Sequence, residues 1–361
     1  MNPTDEFMRR ALRVAAQCSP LTAPNPRVGC VIVRDGVVLG EGYTQPPGGN
    51  HAEIQALEDA RSKGRDVRGA TVYATLEPCS HFGRTAPCAD ALINAGIAKV
   101  VASIVDPDPR VAGRGYARLR AAGIEVVDGV MADEAREMNL GFLSRVERGR
   151  PWVRMKVAAS LDGRTALHNG QSQWITSEAA RNDGHVWRAR ASAVLTGIGT
   201  VLADDPQLTV RAIDVPRQPR RIVLDSRLSI SPEARVLEGG GTWLFTTSDD
   251  FGKAEQLRQA GADVFVMPAV DGRVDLVALM GELARREINE VHVEAGAVLN
   301  GALLRAGLVD ELLLYLAPSL LGDARGLFDL PPIERLDDKF SLRFHEIEQI
   351  GPDLRILARF S

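Results

Sequence analysis

The sequence predicts two α/β units in one chain, and three observations carry that expectation. At 361 residues the chain is longer than one ordinary hydrophobic core serves, so two domains are the natural division. Short β-branched and aliphatic runs alternate with helical patterns along its length, as in layered α/β architectures. Residues 145–151 (RVERGRP) form a polar stretch that reads as a linker. The expected domains are residues 1–146, an α/β/α sandwich, and residues 150–361, a second α/β unit.

In the first unit, residues 5–17 place Met8, Leu12 and Ala15 on one face at helical period. The turn-rich Pro24-Asn25-Pro26 leads into a strand over 28–33, and Arg34-Asp35-Gly36 reads as a hairpin turn before a second strand. The segment PPGGN delivers His51 to the start of a helix that runs to about Lys63. On a regular helix His51 and Glu53 lie about 200° apart, so they face one site only if His51 sits at the cap. A strand over 70–75 brings Glu77-Pro78-Cys79 to its carboxyl end, where open α/β sheets place ligands. Cys88 opens the next helix, and helix N-termini favour thiolates. Strands at 99–105 and 124–127 and helices at 115–122 and 132–143 complete the pattern, and Asp106-Pro107-Asp108-Pro109 reads as a rigid turn.

One imidazole (His51) and two thiolates (Cys79, Cys88) can fill three corners of a tetrahedron around Zn²⁺ and leave the fourth for water. Water on zinc ionises near neutral pH, and Glu53 is left over as a proton carrier. This order of His-x-Glu and Pro-Cys resembles the zinc nucleobase deaminases, although eight residues, 80–87, separate the two cysteines here. The whole segment EPCSHFGRTAPC resembles the riboflavin-biosynthesis pyrimidine deaminases, in which a deaminase is fused to a reductase. The resemblance implies a cytidine-deaminase-like sandwich and a pyrimidine contact from the Asn25 amide, which is otherwise a turn residue beside two prolines. His81 and Arg84, inside the cysteine loop, are assigned to a polar, phosphorylated substrate, because an Arg fork suits phosphate.

Composition narrows the partners. A net charge of −4 offers no basic face for nucleic acid. Four cysteines are too few for a disulfide framework; Cys30 reads as core, and Cys18 receives no role. Charged residues interrupt the first apolar positions, so no signal-peptide core is present, and no apolar run approaches the roughly 18 residues of a membrane span. The expectation is a soluble cytoplasmic homo-oligomer (dimer or tetramer) acting on small molecules, with neither nucleic acid nor membrane as partner.

In the second unit, a strand over 152–158 carries Lys156, for which its alternation with Arg154 also allows a solvent-facing reading. No G-x-G-x-x-G follows a strand, so a Rossmann site is not expected. Residues 193–206 read as strand, glycine turn and helix start, where exposed amides can take a phosphate. Glu294 ends the apolar strand 290–293 before a glycine turn, an awkward place for a core carboxylate. Strands are also expected near 243–245, 264–267, 312–317, 342–347 and 354–360. The apolar run 308–321 reads as buried strand and turn, in the core or at an interface.

Residues 156–163, 172–174, 196–206, 208–211 and 293–296 together resemble the reductase half of the same bifunctional enzymes, which has a dihydrofolate-reductase-like fold. Carried over, the resemblance implies NADPH contacts from Ala159, Trp174, Thr200, Asp204, Ser226 and Gly296. It implies substrate contacts from Ser172, Arg188, Leu208, Arg211 and Glu294, with Lys156 and Glu294 assisting proton transfer. Without it, Arg188 and Arg211 read as ordinary solvated arginines. The leading expectation is a bifunctional enzyme with Zn²⁺ and NADPH as cofactors. It would deaminate 2,5-diamino-6-(5-phosphoribosylamino)pyrimidin-4-one and then reduce the ribosyl group to ribityl. The alternatives are a nucleoside or tRNA deaminase with an accessory domain, and a binding protein stapled by zinc.

Overall fold

In a computed structural model, residues 3–18, 22–80 and 87–360 are described. They fall into two units, Met1–Gly149 and Arg150–Ser361, each with its own main sheet. The first contains α1 (Pro3–Ala15), β1 (Gly29–Arg34), β2 (Val37–Tyr43), α2 (Ala52–Ser62), β3 (Thr71–Ala74) and α3 (Cys88–Asn94). It continues through β4 (Lys99–Ala102), α4 (Arg114–Ala121), β5 (Glu125–Val127), α5 (Ala132–Met138) and α6 (Leu140–Arg148). Its sheet has the order β2-β1-β3-β4-β5, with β1 antiparallel to both neighbours and the last three strands parallel.

The β1–β2 hairpin turns at Asp35 (φ 53°) and Gly36 (φ 76°). Both are left-handed, as a two-residue turn matched to strand twist requires. Because side chains alternate across a strand, the sheet has two apolar faces. Val31, Val33, Tyr73 and Val101 meet Met8, Ala11 and Val14 of α1. Cys30, Ile32, Val72, Ala74 and Val100 meet Ala52, Ala56, Ala89 and Leu92 of α2 and α3. Helix α2 lies close on β2: a Cβ built on Gly40 would sit 2.2 Å from Ala56 O, and one on Gly42 2.4 Å from Gln55 Cβ.

Two sequence expectations change here. The helix expected over 132–143 is broken at Asn139, whose amide bridges the Arg27 backbone (Arg27 N–H to Oδ1 2.8 Å, Nδ2–H to Arg27 O 3.0 Å). The expected linker is shorter, because α6 continues to Arg148 and stops at Gly149 in the left-handed region (φ 65°). The apolar face of α6, with Phe142 and Leu143 buried, keeps residues 145–148 helical despite their polarity.

The second unit contains β6 (Trp152–Ser160), β7 (Arg164–Ala166), α7 (Glu178–Arg190), β8 (Ala193–Gly197), α8 (Ile198–Asp204), β9 (Arg220–Leu224), β10 (Thr242–Thr246), α9 (Phe251–Gln259) and β11 (Ala262–Val266). There follow β12 (Ala269–Val270), β13 (Arg273–Val274), α10 (Leu276–Arg285), β14 (Glu290–Val293), α11 (Ala297–Arg305), β15 (Glu311–Ala317), β16 (Arg325–Gly326), β17 (Leu342–Ile350) and β18 (Asp353–Phe360). The main sheet runs β11-β10-β9-β8-β14-β6-β15-β18-β17 and is parallel from β11 to β15, with β18 and β17 antiparallel at one edge. After β8 the chain moves through α8 to β9; after neighbouring β14 it moves through α11 to β15 on the other side. That divergence is a topological switch point, where open parallel sheets bind ligands.

One face of this sheet is apolar, with Val153, Met155, Val157, Val291 and Val293 packed with Leu279 and Leu283 of α10 and Leu303 of α11. The other carries buried charge beneath α7. Arg154 is 4% exposed and pairs with Glu311 and Glu290, and Arg359 donates to Glu311 at 2.9 Å. Trp187 of α7 lies between the guanidinium groups of Arg154 (4.6 Å to the ring centroid), Arg190 (4.5 Å) and Arg355 (5.5 Å). The solvent-facing reading of this side of β6 is thereby corrected: α7 covers it. The edge strand β17 is exposed along nearly its whole length, including Phe344 and Ile347. Among the described residues no helix is long and apolar enough to cross a membrane.

Glu311 is fully buried beneath two arginines. Glu311→Leu is therefore expected to cost roughly 3–5 kcal/mol, because it removes the buried anion that Arg154 and Arg359 share. The four tryptophans, Trp152, Trp174, Trp187 and Trp243, all belong to the second unit, so their fluorescence during urea unfolding reads this loss. A loss below about 1 kcal/mol, the range of a surface pair, would contradict the account.

Candidate functional site

Two helix starts and one strand end converge in the first unit. His51 is the N-cap of α2 in extended conformation (φ −72°, ψ 165°), so its ring leaves the helix before the helical turn fixes directions. This resolves the 200° conflict, and Glu53, in the first turn, is buried in the same place. Cys79 follows the carboxyl end of β3, and Cys88 is the first residue of α3. The Nδ1 of His51 lies 3.5 Å from Cys79 Sγ and 3.4 Å from Cys88 Sγ, and the three ligand atoms fall within 4.8 Å of one another. Zn–S and Zn–N bonds of ordinary length set at the tetrahedral angle give an N···S edge of ~3.6 Å, so the donor set fits zinc. Three protein donors leave one position open, as in catalytic sites.

The electrostatics fit the same assignment. The Cys79 thiol is held well below its ordinary range, first by the hydrogen bond with Cys88 and then by His51, against burial. Cys88 is pushed up by the same contact with Cys79 and by burial. The hydrogen bond to Cys79 raises His51. Glu53 is pushed up to about 7, by burial first and by Cys79 second, while His51 opposes. A carboxyl poised there can both accept and return a proton near neutral pH. Cys30 is fully buried in the core, as expected, and Cys18 is a buried thiol facing Val28 O at 3.7 Å.

Of the expected substrate residues in this unit, Asn25 lies in a turn, its N–H donating to Thr22 O at 2.8 Å. His81 and Arg84 lie outside the described residues. The sequence reading missed Asp106, taken as part of a rigid turn. It is 8% exposed, and its charge acts on His51. An aspartate closing the apolar run 100–105 was the available signal.

In the second unit, Glu294 follows β14 and is gripped by both arms of Arg188, with Nε at 2.7 Å from Oε1 and Nη2 at 2.9 Å from Oε2. Arg188 Nη1 donates to Thr209 O at 2.6 Å. Arg188 is therefore largely buried and ion-paired, not a solvated arginine, and three of its five N–H groups are committed. Burial alone would raise the Glu294 carboxyl, but Arg188 and then Lys156 outweigh it and hold it well below the carboxylate range. Lys156, half-buried on β6, is lowered by burial and by Arg188 against the pull of Glu294.

The expected cofactor residues gather in part at the switch point. Gly197 caps α8 and Gly296 caps α11, and a Cβ built on Gly296 would lie 3.9 Å from Thr200 Oγ1. The two helix starts thus stand side by side. Ser226 follows β9, its hydroxyl accepting from Val274 N–H at 3.1 Å. Asp204 ends α8 and is exposed, and Ala159 is buried in β6. Trp174 is 68% exposed with the Arg181 guanidinium 4.4 Å from its ring centroid, and Ser172 is half-buried nearby in sequence. Leu208 is buried in left-handed conformation (φ 55°), so only its backbone is available to a ligand. Arg211 is exposed, donating to Gln207 Oε1 at 2.9 Å.

His292 was also missed. It is fully buried on β14 with its Nε2 3.6 Å from Glu294 Oε1, and burial holds it neutral, down to about 3. A histidine within an otherwise apolar strand core was its only trace.

A zinc deaminase of the cytidine-deaminase type joined to a reductase is the class that these two units define. Residues 1–104 match the family model of the cytidine and deoxycytidylate deaminase zinc-binding region, and residues 151–356 match that of the RibD C-terminal domain. The chain is 50% identical to riboflavin biosynthesis protein RibD of Escherichia coli K12, over 96% of this chain and 97% of that one. Its fold is similar to that of Acinetobacter baumannii RibD (TM-score 0.91, 40% identity, 99% of each chain covered). It is also similar to the diaminohydroxyphosphoribosylaminopyrimidine deaminase/5-amino-6-(5-phosphoribosylamino)uracil reductase of Thermotoga maritima (TM-score 0.88, 33% identity, 99% of each chain covered). The chain belongs to the RibD family of bifunctional riboflavin-biosynthesis deaminase–reductases, whose cofactors are zinc and NADPH.

Cys88→Ser removes one of the two thiolates and is expected to lower bound zinc well below one ion per chain, measured by elemental analysis after dialysis. Full zinc occupancy in that variant would remove Cys88 from the ligand set.

Proposed function

We propose that the first unit hydrolyses the 2-amino group of 2,5-diamino-6-(5-phosphoribosylamino)pyrimidin-4-one, and that the second reduces the ribosyl group of the deaminated product. The observation that carries the first half is the three-donor cluster of His51, Cys79 and Cys88, with a buried, unligated Glu53 beside it. These three residues would hold the zinc, which supplies the Lewis acidity that makes water a nucleophile at neutral pH. Glu53 takes a proton from that water on its carboxylate and delivers it to the ring nitrogen. A second transfer through the same carboxylate lets the amino group leave as ammonia. Burial raises the affinity of Glu53 for the proton enough for it to act in both directions.

In the reductase, NADPH would supply the reducing equivalent. The switch point between the starts of α8 and α11 is where this chain would receive the cofactor. Of the two expected proton carriers, Lys156 is favoured as donor. Arg188 and Lys156 keep Glu294 ionised, whereas burial weakens the hold of Lys156 on its proton. Glu294 then serves to anchor Arg188 and to balance Lys156. Arg211, exposed on the neighbouring loop, is better placed than the committed Arg188 to meet a phosphate.

The test follows ammonia and NADPH consumption separately with the diaminopyrimidine phosphate. The chain should release ammonia first and consume NADPH afterwards. Glu53→Gln should retain zinc, lose roughly 10²–10⁴-fold in deamination, and still reduce pre-deaminated substrate. A deamination loss of less than tenfold would exclude Glu53 as the proton carrier. NADPH consumption that needs no deaminated product would contradict the order of the two steps.

A further inference from the structure

The segment joining β4 to α4 has no chemical role in the account above, yet one side chain ties it to the proposed metal ligands. Glu77, 2% exposed, accepts four backbone N–H groups. Those of Asp106 (3.2 Å) and Gly113 (2.9 Å) go to Oε2, and those of Gly115 (2.8 Å) and Tyr116 (3.2 Å) go to Oε1. A carboxylate has about four lone-pair sites, so this one is saturated by amides and has none left for a metal or substrate. Its own N–H donates to Ile104 O at 2.9 Å, closing the base of the same segment. The backbone of the segment also lies directly on the peptide before Cys79. A Cβ built on Gly115 would fall 2.0 Å from Pro78 O and 3.0 Å from Glu77 Oε1. The far end of the segment carries Asp106, whose side chain is buried.

We propose that Glu77 is a positioning residue for deamination. It latches residues 104–116 onto the segment that ends in Cys79, and so fixes the backbone that presents that proposed ligand. Charge-assisted hydrogen bonds are stronger than neutral ones, and four of them on one buried group make this loop a rigid part of the site. The inference rests on the deaminase reading given above and adds a second layer to it.

Full-length, zinc-loaded Glu77→Gln and Glu77→Asp are the test. In Glu77→Gln an NH₂ replaces one oxygen, and whichever way the amide turns it faces two N–H donors. Glu77→Asp keeps both acceptor oxygens and loses reach by one methylene. Deamination kcat/KM is expected to fall about tenfold or more in Glu77→Gln, chiefly through kcat, as misplaced positioning groups do, and by less in Glu77→Asp. Zinc should stay bound, reduction of pre-deaminated substrate should be unchanged, and the Gly113, Gly115 and Tyr116 amides should exchange faster with solvent. A packing role alone gives the opposite order, because Gln matches Glu in shape. Unchanged deamination in Glu77→Gln, the order Gln better than Asp, or loss of zinc would each overturn the proposal. Should Glu77→Gln not fold, Gly115→Ala carries the test. It leaves Glu77 intact but pushes the loop off Pro78, and unchanged deamination in that variant overturns the proposal as well. Failure of the deaminase reading itself is distinguishable, since the unaltered chain would then release no ammonia.

Discussion

Helix α2 lies against β2 with no side chain from the strand glycines and only small ones from the helix between them, and the position of the proposed zinc site depends on that contact. Gly40 and Gly42 provide the space, and the facing stripe of Ala52, Ala56 and Ala60 fills it at helical spacing. Any larger residue in either row would lift the helix by ångströms, whereas a metal site tolerates displacements of a few tenths of an ångström. Because the helix is seated so deeply, its N-cap His51 reaches the carboxyl end of β3, where Cys79 stands. The start of α3 arrives at the same point and presents Cys88. The first N–H of α3 donates to Cys79 Sγ at 3.3 Å, which favours the charged form of that one sulfur before any metal binds.

The reductase unit solves a different problem, that of keeping ionic chemistry on the face of a parallel sheet. Its polar face is covered by α7, and every strongly buried charge described there has a partner. Arg154 sits between Glu311 and Glu290, Arg188 holds Glu294, and Asp183 receives both Tyr315 and Arg355. Such pairs add little net stability over apolar packing, and breaking one is costly. Their value here is that the charge state of each group is fixed. Glu294 is held as a carboxylate and His292 neutral, and this is the ground for proposing Lys156, at the edge of the network, as the proton donor.

Much of this was legible in the sequence where the signal was local. The alternating runs located the strands, the PPGGN segment brought His51 to a helix start, and the position of Glu294 after an apolar strand marked it as a candidate. Long-range contacts were not legible. Asn139 breaks a helix because of a partner 112 residues away, and Arg154 is interior because Glu311, 157 residues later, meets it. Read alone, an alternating Arg and Lys on a strand describes a wet face; only α7, placed by tertiary packing, makes it a buried one. Glu77 was quoted within the metal motif without a role, since four backbone donors from a distant loop leave no trace in residue type. The family resemblance supplied positions such as Trp174 and Ser226, which no pattern of residues singles out.

The central claim is that one chain carries two activities with separate chemical requirements, of which only deamination depends on the metal. Stripping zinc from the full-length protein with a chelator, and following ammonia release and NADPH consumption with each substrate, tests it directly. The account predicts that ammonia release stops while pre-deaminated substrate is still reduced at the original rate, and that adding zinc back restores deamination. Ammonia release that survives complete zinc removal, or loss of both activities together in a chain that remains folded, would contradict it.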